Sequence, residues 1–193
     1  MVKALNPFVK DVRSGRVFTY GIPLAPYKEG LIYHRTMSDT IFYLNQNTLS
    51  PLITYDFGAD WAWTNAALIA NDASIRSITM KNDYVWNTNS YVGDEFILMR
   101  FTGGRKDFRY ILIDRIGTGN NLIDFRKGVD ENFDLRPIRW DNNFLTFSLS
   151  SSDVSSFVEE LGLDKVSYRK GTTLESIEDS ENPALIRIKF KMN

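Results

Sequence analysis

The sequence predicts an all-β protein assembled from antiparallel meanders, and three observations carry that prediction. β-branched and aromatic runs of strand length recur along most of the chain, turn-forming clusters punctuate them, and one strand–turn–strand plan returns further along. The first three strands are read at residues 31–33, 40–44 and 52–57, cut by polar turns at 37–39 and 45–48. The same hairpin plan reappears at 95–102 and 107–116 across Gly103-Gly104-Arg105-Lys106, where glycine supplies the positive φ of a tight turn. A fainter third copy sets 136–140 against 144–150 around Asp141-Asn142-Asn143. Degenerate repetition of one supersecondary unit signals a stacked or radial architecture.

Taken in order, residues 1–16 form no firm element, with turns at Asn6-Pro7 and Ser14-Gly15. A strand is expected at 17–22, followed by 23–28, where two prolines and Tyr27-Lys28-Glu29-Gly30 argue against regular pairing. After the first meander, residues 59–72 read as a long connection with room for a short helix at 66–71. Strands resume at 77–80 and 84–88, ahead of the second hairpin. One helix is predicted over 153–161: Val154, Phe157, Val158 and Leu161 share a face, Ser151-Ser152-Asp153 offer N-caps, and Gly162 stands where a helix-ending glycine belongs. A second, short helix is predicted over 172–178. The chain then passes Glu181-Asn182-Pro183 into an alternating strand at 184–192 with a basic outer face, Arg187, Lys189 and Lys191.

A chain of 193 residues, 43% hydrophobic, is the size of one domain with a substantial core, so 1–193 reads as a single domain. Its 23 basic and 24 acidic residues give a net charge of −1 without a long run of either sign, so no nucleic-acid partner is expected. With no cysteine, thiolate chemistry and disulfides are excluded, and the single histidine, His34, cannot build a multi-histidine metal site. No cofactor or metal is expected. No apolar run approaches the ~20 residues of a transmembrane helix, and the amino terminus as written lacks a signal-peptide pattern.

Ser38-Asp39-Thr40-Ile41, Ser50-Pro51 with Tyr55-Asp56-Phe57-Gly58, and the ending Glu181-Asn182-Pro183-Ala184-Leu185-Ile186-Arg187-Ile188-Lys189-Phe190-Lys191 resemble the six-bladed β-propeller family of exported bacterial proteins, related to NHL-type propellers. That resemblance implies a partial β-propeller of three to four meander blades with one or two short helices, forming the carboxy-terminal part of a longer propeller. It also implies export, to the periplasm or as an outer-membrane lipoprotein. At roughly 40–45 residues per blade the chain falls short of six blades, so a homodimer closing the ring is a further expectation, because an open ring leaves strand edges bare.

The chemistry-bearing residues point to binding more than to a reaction. Trp61 and Trp63 lie in the long connection and share one side if it is extended, Trp86 sits in Trp86-Asn87-Thr88-Asn89, and Trp140 precedes Asp141-Asn142-Asn143. Aromatic faces beside amide and hydroxyl groups suit sugar rings, so Trp61, Trp63, Trp86, Trp140 and Asn142 are the candidate ligand-binding residues, with inter-blade packing as the competing role. The expected function is a non-enzymatic binding or interaction module whose ligand the sequence does not identify, a poly- or oligosaccharide being the first candidate on the aromatic loops and the family resemblance. The alternatives are a glycan hydrolase or lyase using a carboxylate such as Asp114 or Asp141, and a scaffold for a protein partner. His34 is read as structural, Asp56-Phe57-Gly58 as a strand end without kinase context, and Gly117-Thr118-Gly119 as a loop lacking the third glycine of a dinucleotide site.

Overall fold

The computed structural model describes residues 24–34, 37–64, 84–103, 108–117, 119–128 and 131–191. The described chain is all-β, four antiparallel sheets accompanied by two short α-helices. It divides into two compact units, one comprising Met1–Ser90 and Leu98–Ile111, the other Tyr91–Ile97 and Leu112–Asn193. The strand expected at 17–22, the helix at 66–71, the strand at 77–80 and the turn glycine Gly104 lie outside the described residues.

The first unit opens with a meander of β1 (Leu24–Tyr27), β2 (Gly30–His34), β3 (Thr40–Asn45) and β4 (Thr48–Thr54), paired in that order. The sequence argued against pairing at 23–28, yet β1 lies in full register on β2. Its Pro26 is tolerated because β1 is an edge strand, where a missing N–H costs no ladder bond, and Pro51 occupies the opposite edge. β4 also begins earlier than expected. Gln46 and Asn47 turn in two residues, at φ 45° and 69°, so Thr48 pairs Asn45 directly. Pleating sends Tyr27, Ile32, His34 and Ile41 to the buried side and Leu24, Leu31, Tyr33 and Phe42 to the outward side. Gly30 has no room for a side chain: a Cβ there would stand 2.4 Å from the Leu44 carbonyl oxygen.

A second meander orders β5 (Val85–Val92), β6 (Phe96–Gly103), β7 (Phe108–Asp114) and β8 (Asn120–Ile123), with strands contributed to both units. Ile97, Leu98 and Met99 are all buried, so β6 is covered on both faces and its sequence runs apolar without alternating.

In the second unit, a two-stranded ribbon of β9 (Arg126–Lys127) and β10 (Glu131–Asn132) precedes a sheet of β11 (Arg136–Asp141), β12 (Phe144–Leu149) and β13 (Ala184–Lys189). Between β12 and β13 come α1 (Val154–Leu161) and α2 (Leu174–Glu178). The strand register, with a bulge between Pro137 and Arg139, gives this sheet two unlike faces. Pro137, Leu145, Phe147 and Leu149 are buried on one; Arg139, Thr146 and Arg187 form a row on the other, beside a row of Asp141, Phe144 and Lys189. Val154, Phe157 and Val158 of α1 join the core, Phe157 meeting Phe133 edge to face at 5.1 Å. Gly162, at φ +90°, donates its N–H to the Val158 and Glu159 carbonyls and ends the helix. Asp153 makes no capping bond; its carboxylate instead accepts from Lys127 Nζ at 2.7 Å. α2 is capped as a box, Thr173 and Ser176 each accepting the other's backbone N–H.

Candidate functional site

Trp61, Trp63 and Trp86 come together in the first unit. The connection after β4 is not extended: Gly58, at φ 54°, starts a 3-10 turn over Gly58–Asp60 that swings Trp61 inward. Trp61 stacks on Phe57 with centroids 5.1 Å apart and is only 5% exposed. Ala62 then bonds the Val85 carbonyl, and Trp63 Nε1–H donates to the Trp86 carbonyl at 2.7 Å. Trp63 and Trp86 are half-buried and keep part of their surface open.

Trp140 and Asn142 belong to the second unit. The Trp140 ring covers Gly93, where a Cβ would lie 2.8 Å from it; it stacks near Phe96, and its Nε1–H donates to the Tyr91 carbonyl at 2.8 Å. Asn142 is the exposed left-handed residue of the β11–β12 turn, at φ 52°. Both described indole N–H bonds of Trp63 and Trp140 thus go to backbone carbonyls.

His34 is buried, and its Nε2 lies 3.2 Å from the Ser38 carbonyl oxygen and 3.1 Å from Thr88 Oγ1. A carbonyl cannot donate, so the network places the proton on Nε2. Burial pushes the imidazole below its ordinary pKa, partly offset by the bond to Ser38. A neutral ring joining the β3 turn to β5 is a structural knot.

The two carboxylates with candidate catalytic roles are held by local partners. Asp114 accepts the N–H groups of Gly117 and Ile116, at 2.9 and 2.8 Å, which lower its pKa by stabilising the anion. Asp141 pairs with Arg187 at 3.0 Å, both half-exposed. Among the described residues no group of three His, Asp or Glu could hold a metal ion, and no helix is long and apolar enough to cross a membrane.

Two hollows open on the second unit. The larger, about 550 Å³, lies beside Lys127, Glu131, Glu159 and Glu160, a broad acidic dish. The smaller, about 180 Å³, is lined by Asp134, Arg136, Ser148, Ser150, Ser151, Glu181 and Pro183. Its walls are fixed from both sides: Arg136 donates to one carboxylate oxygen, Asp134 Oδ2, through both Nε at 3.0 Å and Nη2 at 2.5 Å, and Ser151 Oγ donates to the Ser180 carbonyl at 2.6 Å. Sequence reading did not nominate this group. Its members span residues 134–183, and the serine run at 150–152 had a ready explanation as a helix cap.

No protein-family model matches the chain, and no curated protein matches it. Among solved structures it is similar to a candidate exported protein from Bacteroides fragilis, at 12% identity and a TM-score of 0.57, over 91% of this chain and 51% of that one. The chain spans about half the length of that neighbour, and the likeness is one of fold.

Proposed function

We propose that the chain is a non-enzymatic binding module whose ligand is a carbohydrate, carried on part of a six-bladed, NHL-like β-propeller that functions in the periplasm or as an outer-membrane lipoprotein. The repeated meanders of β1–β4 and β5–β8 and the sheet β11–β13 have the plan of blades, and the fold neighbour is a candidate exported protein. The observation that carries the ligand class is the 180 Å³ hollow. Three serine hydroxyls stand with an Arg–Asp pair and the apolar ring of Pro183. Ser151 Oγ, its proton given to the Ser180 carbonyl, can only accept, Ser150 Oγ is bonded to Ser152 Oγ, and Ser148 completes a set that offers polar partners to sugar hydroxyls and a face to a sugar ring. The half-buried rings of Trp63 and Trp86 supply a second, aromatic surface.

One observation favours a glycan hydrolase as the second reading: two carboxylates, Asp134 and Glu181, line the same hollow. Both stand exposed to water, whereas a general acid working near neutral pH needs a desolvated site.

Saturation-transfer NMR against a panel of neutral and acidic oligosaccharides tests the proposal. Binding is expected, weakened by about tenfold or more in Arg136→Ala because a charged hydrogen-bond donor is worth about 1.5–3 kcal/mol. Chromatography of the recovered sugars is expected to return them intact. A shortened product would establish the hydrolase reading instead, and persistence of full affinity in Arg136→Ala would move the site away from this hollow.

A further inference from the structure

We propose that the outward face of the β11–β12–β13 sheet binds an acidic carbohydrate chain, extending the hollow into a track. This deepens the carbohydrate reading and rests on it. Arg136, Arg139, Arg187 and Lys189 all stand exposed on that one face. The pleat that buries their neighbours leaves them no other side, so their convergence is enforced by three strands in register. Neighbouring strands lie about 5 Å apart, so Arg139 and Arg187, which flank Thr146 from the two outer strands, stand about 10 Å apart at the backbone, and Arg187 and Lys189, alternate residues of β13, about 7 Å apart. The cations therefore form a lattice spaced for successive anionic groups of an extended polymer, not a single point charge.

The opposing charges on the same surface are few. Asp141 holds Arg187 at 3.0 Å, and Asp134 at the margin holds Arg136. Arg139 and Lys189 make no ion pair among the described residues, which leaves both charges available to a ligand. Arg136 and Ser148 belong to the face and also line the 180 Å³ hollow, so the two are continuous.

The polymer fits a carbohydrate better than a nucleic acid. Single-stranded nucleic acid is held by stacking bases on open aromatic rings, and the one aromatic of this face, Phe144, is already covered by the Arg187 guanidinium at 4.7 Å and by the Lys189 ammonium at 5.9 Å. Between the cations stand the hydroxyls of Thr146 and Ser148, which pair with ring hydroxyls as the cations pair with carboxylates. The chain's net charge of −1 adds no long-range attraction for a polyanion, so recognition is local to this face.

The test is calorimetric titration of the full chain with oligogalacturonate, with a neutral oligoglucan of equal length, and with a short single-stranded DNA. Oligogalacturonate is expected to bind at least tenfold more tightly than the neutral sugar at about 0.01 M salt, and to lose that advantage near 1 M, where the Debye length shrinks from about 30 Å to about 3 Å. Arg139→Ala/Lys189→Ala, both surface changes, is expected to abolish the preference while neutral-sugar binding and the thermal melt stay as in the parent. Lys189→Glu alone is expected to weaken oligogalacturonate more than the neutral sugar. Equal affinity for charged and neutral sugars overturns the acidic track and leaves the binding module standing. DNA binding as tight as oligogalacturonate overturns the choice of carbohydrate for this face. Failure to bind either sugar overturns the module and the track together.

Discussion

At the scale of single residues, the side chains with the most constrained surroundings serve the fold. His34 is the clearest. Its neutral ring bonds Ser38 and Thr88 from a buried position, so the native state resists protonation while the unfolded chain accepts a proton near the ordinary pKa of 6.5. The native value being the lower one, the contribution of His34 to stability is complete above about pH 6.5 and declines as pH falls from there toward the native value. Urea unfolding at a series of pH values is expected to show that slope in the parent and its loss in His34→Gln, which carries no titrating ring. Equal slopes in the two proteins would remove His34 from the account. Gly30 makes a second point at this scale: with the Leu44 oxygen 2.4 Å from a would-be Cβ and the Tyr43 ring 2.9 Å away, Gly30→Ala is expected to cost about 1–3 kcal/mol by chemical denaturation, the usual price of overpacking.

At the scale of elements, turn chemistry and edge position decide where strands begin and end. The β3–β4 connection holds Gln46 and Asn47 in the left-handed region, which suits glycine and asparagine better than glutamine. Gln46→Asn/Asn47→Gly is expected to raise stability by about 0.5–1 kcal/mol, read as a higher denaturation midpoint with an unchanged slope. The central strand β12 is held from both sides, by β11 and β13, and buries Phe147 completely. Phe147→Ala is expected to cost about 3–5 kcal/mol, and amide exchange on β12 to be slower than on the edge strand β1. The helix elements follow local rules at their ends, with one exception. Asp153 precedes α1 as a cap should, but its carboxylate is drawn to Lys127, whose pKa rises through that hydrogen bond.

At the scale of the molecule, the sheets repeat one plan while their outward faces differ: apolar on β1–β4, cationic on β11–β13. The chain is about half the length of its fold neighbour. If it completes a six-bladed ring by pairing with a second copy, light scattering on the purified chain is expected to give the mass of two chains at concentrations where circular dichroism reports a folded β protein. A folded single chain under those conditions would sink the ring-closing dimer without touching the sugar proposal.

What the amino-acid sequence determined by itself is the longer elements, while the short strands β8, β9 and β10 were not read from it. Strand runs, Asx and glycine turns, the i, i+3, i+4 face of α1 and the basic alternation of β13 all follow from contacts within a few residues, which sequence order preserves. Even its misses were local: Pro26 was judged against a central strand when the chain places it on an edge, and β4 was begun late because the two-residue turn at Gln46-Asn47 needed positive φ from residues other than glycine. The tertiary structure alone decided what those elements bring together. Thr88 meets His34 across 54 positions, and Asp134, Ser150 and Glu181 meet around one hollow. Alternation tells which side chains share a face of one strand, but only the pairing of β11, β12 and β13 in register makes those faces a single surface, because the partner strand is chosen by burial across the whole unit and not by its neighbours in sequence.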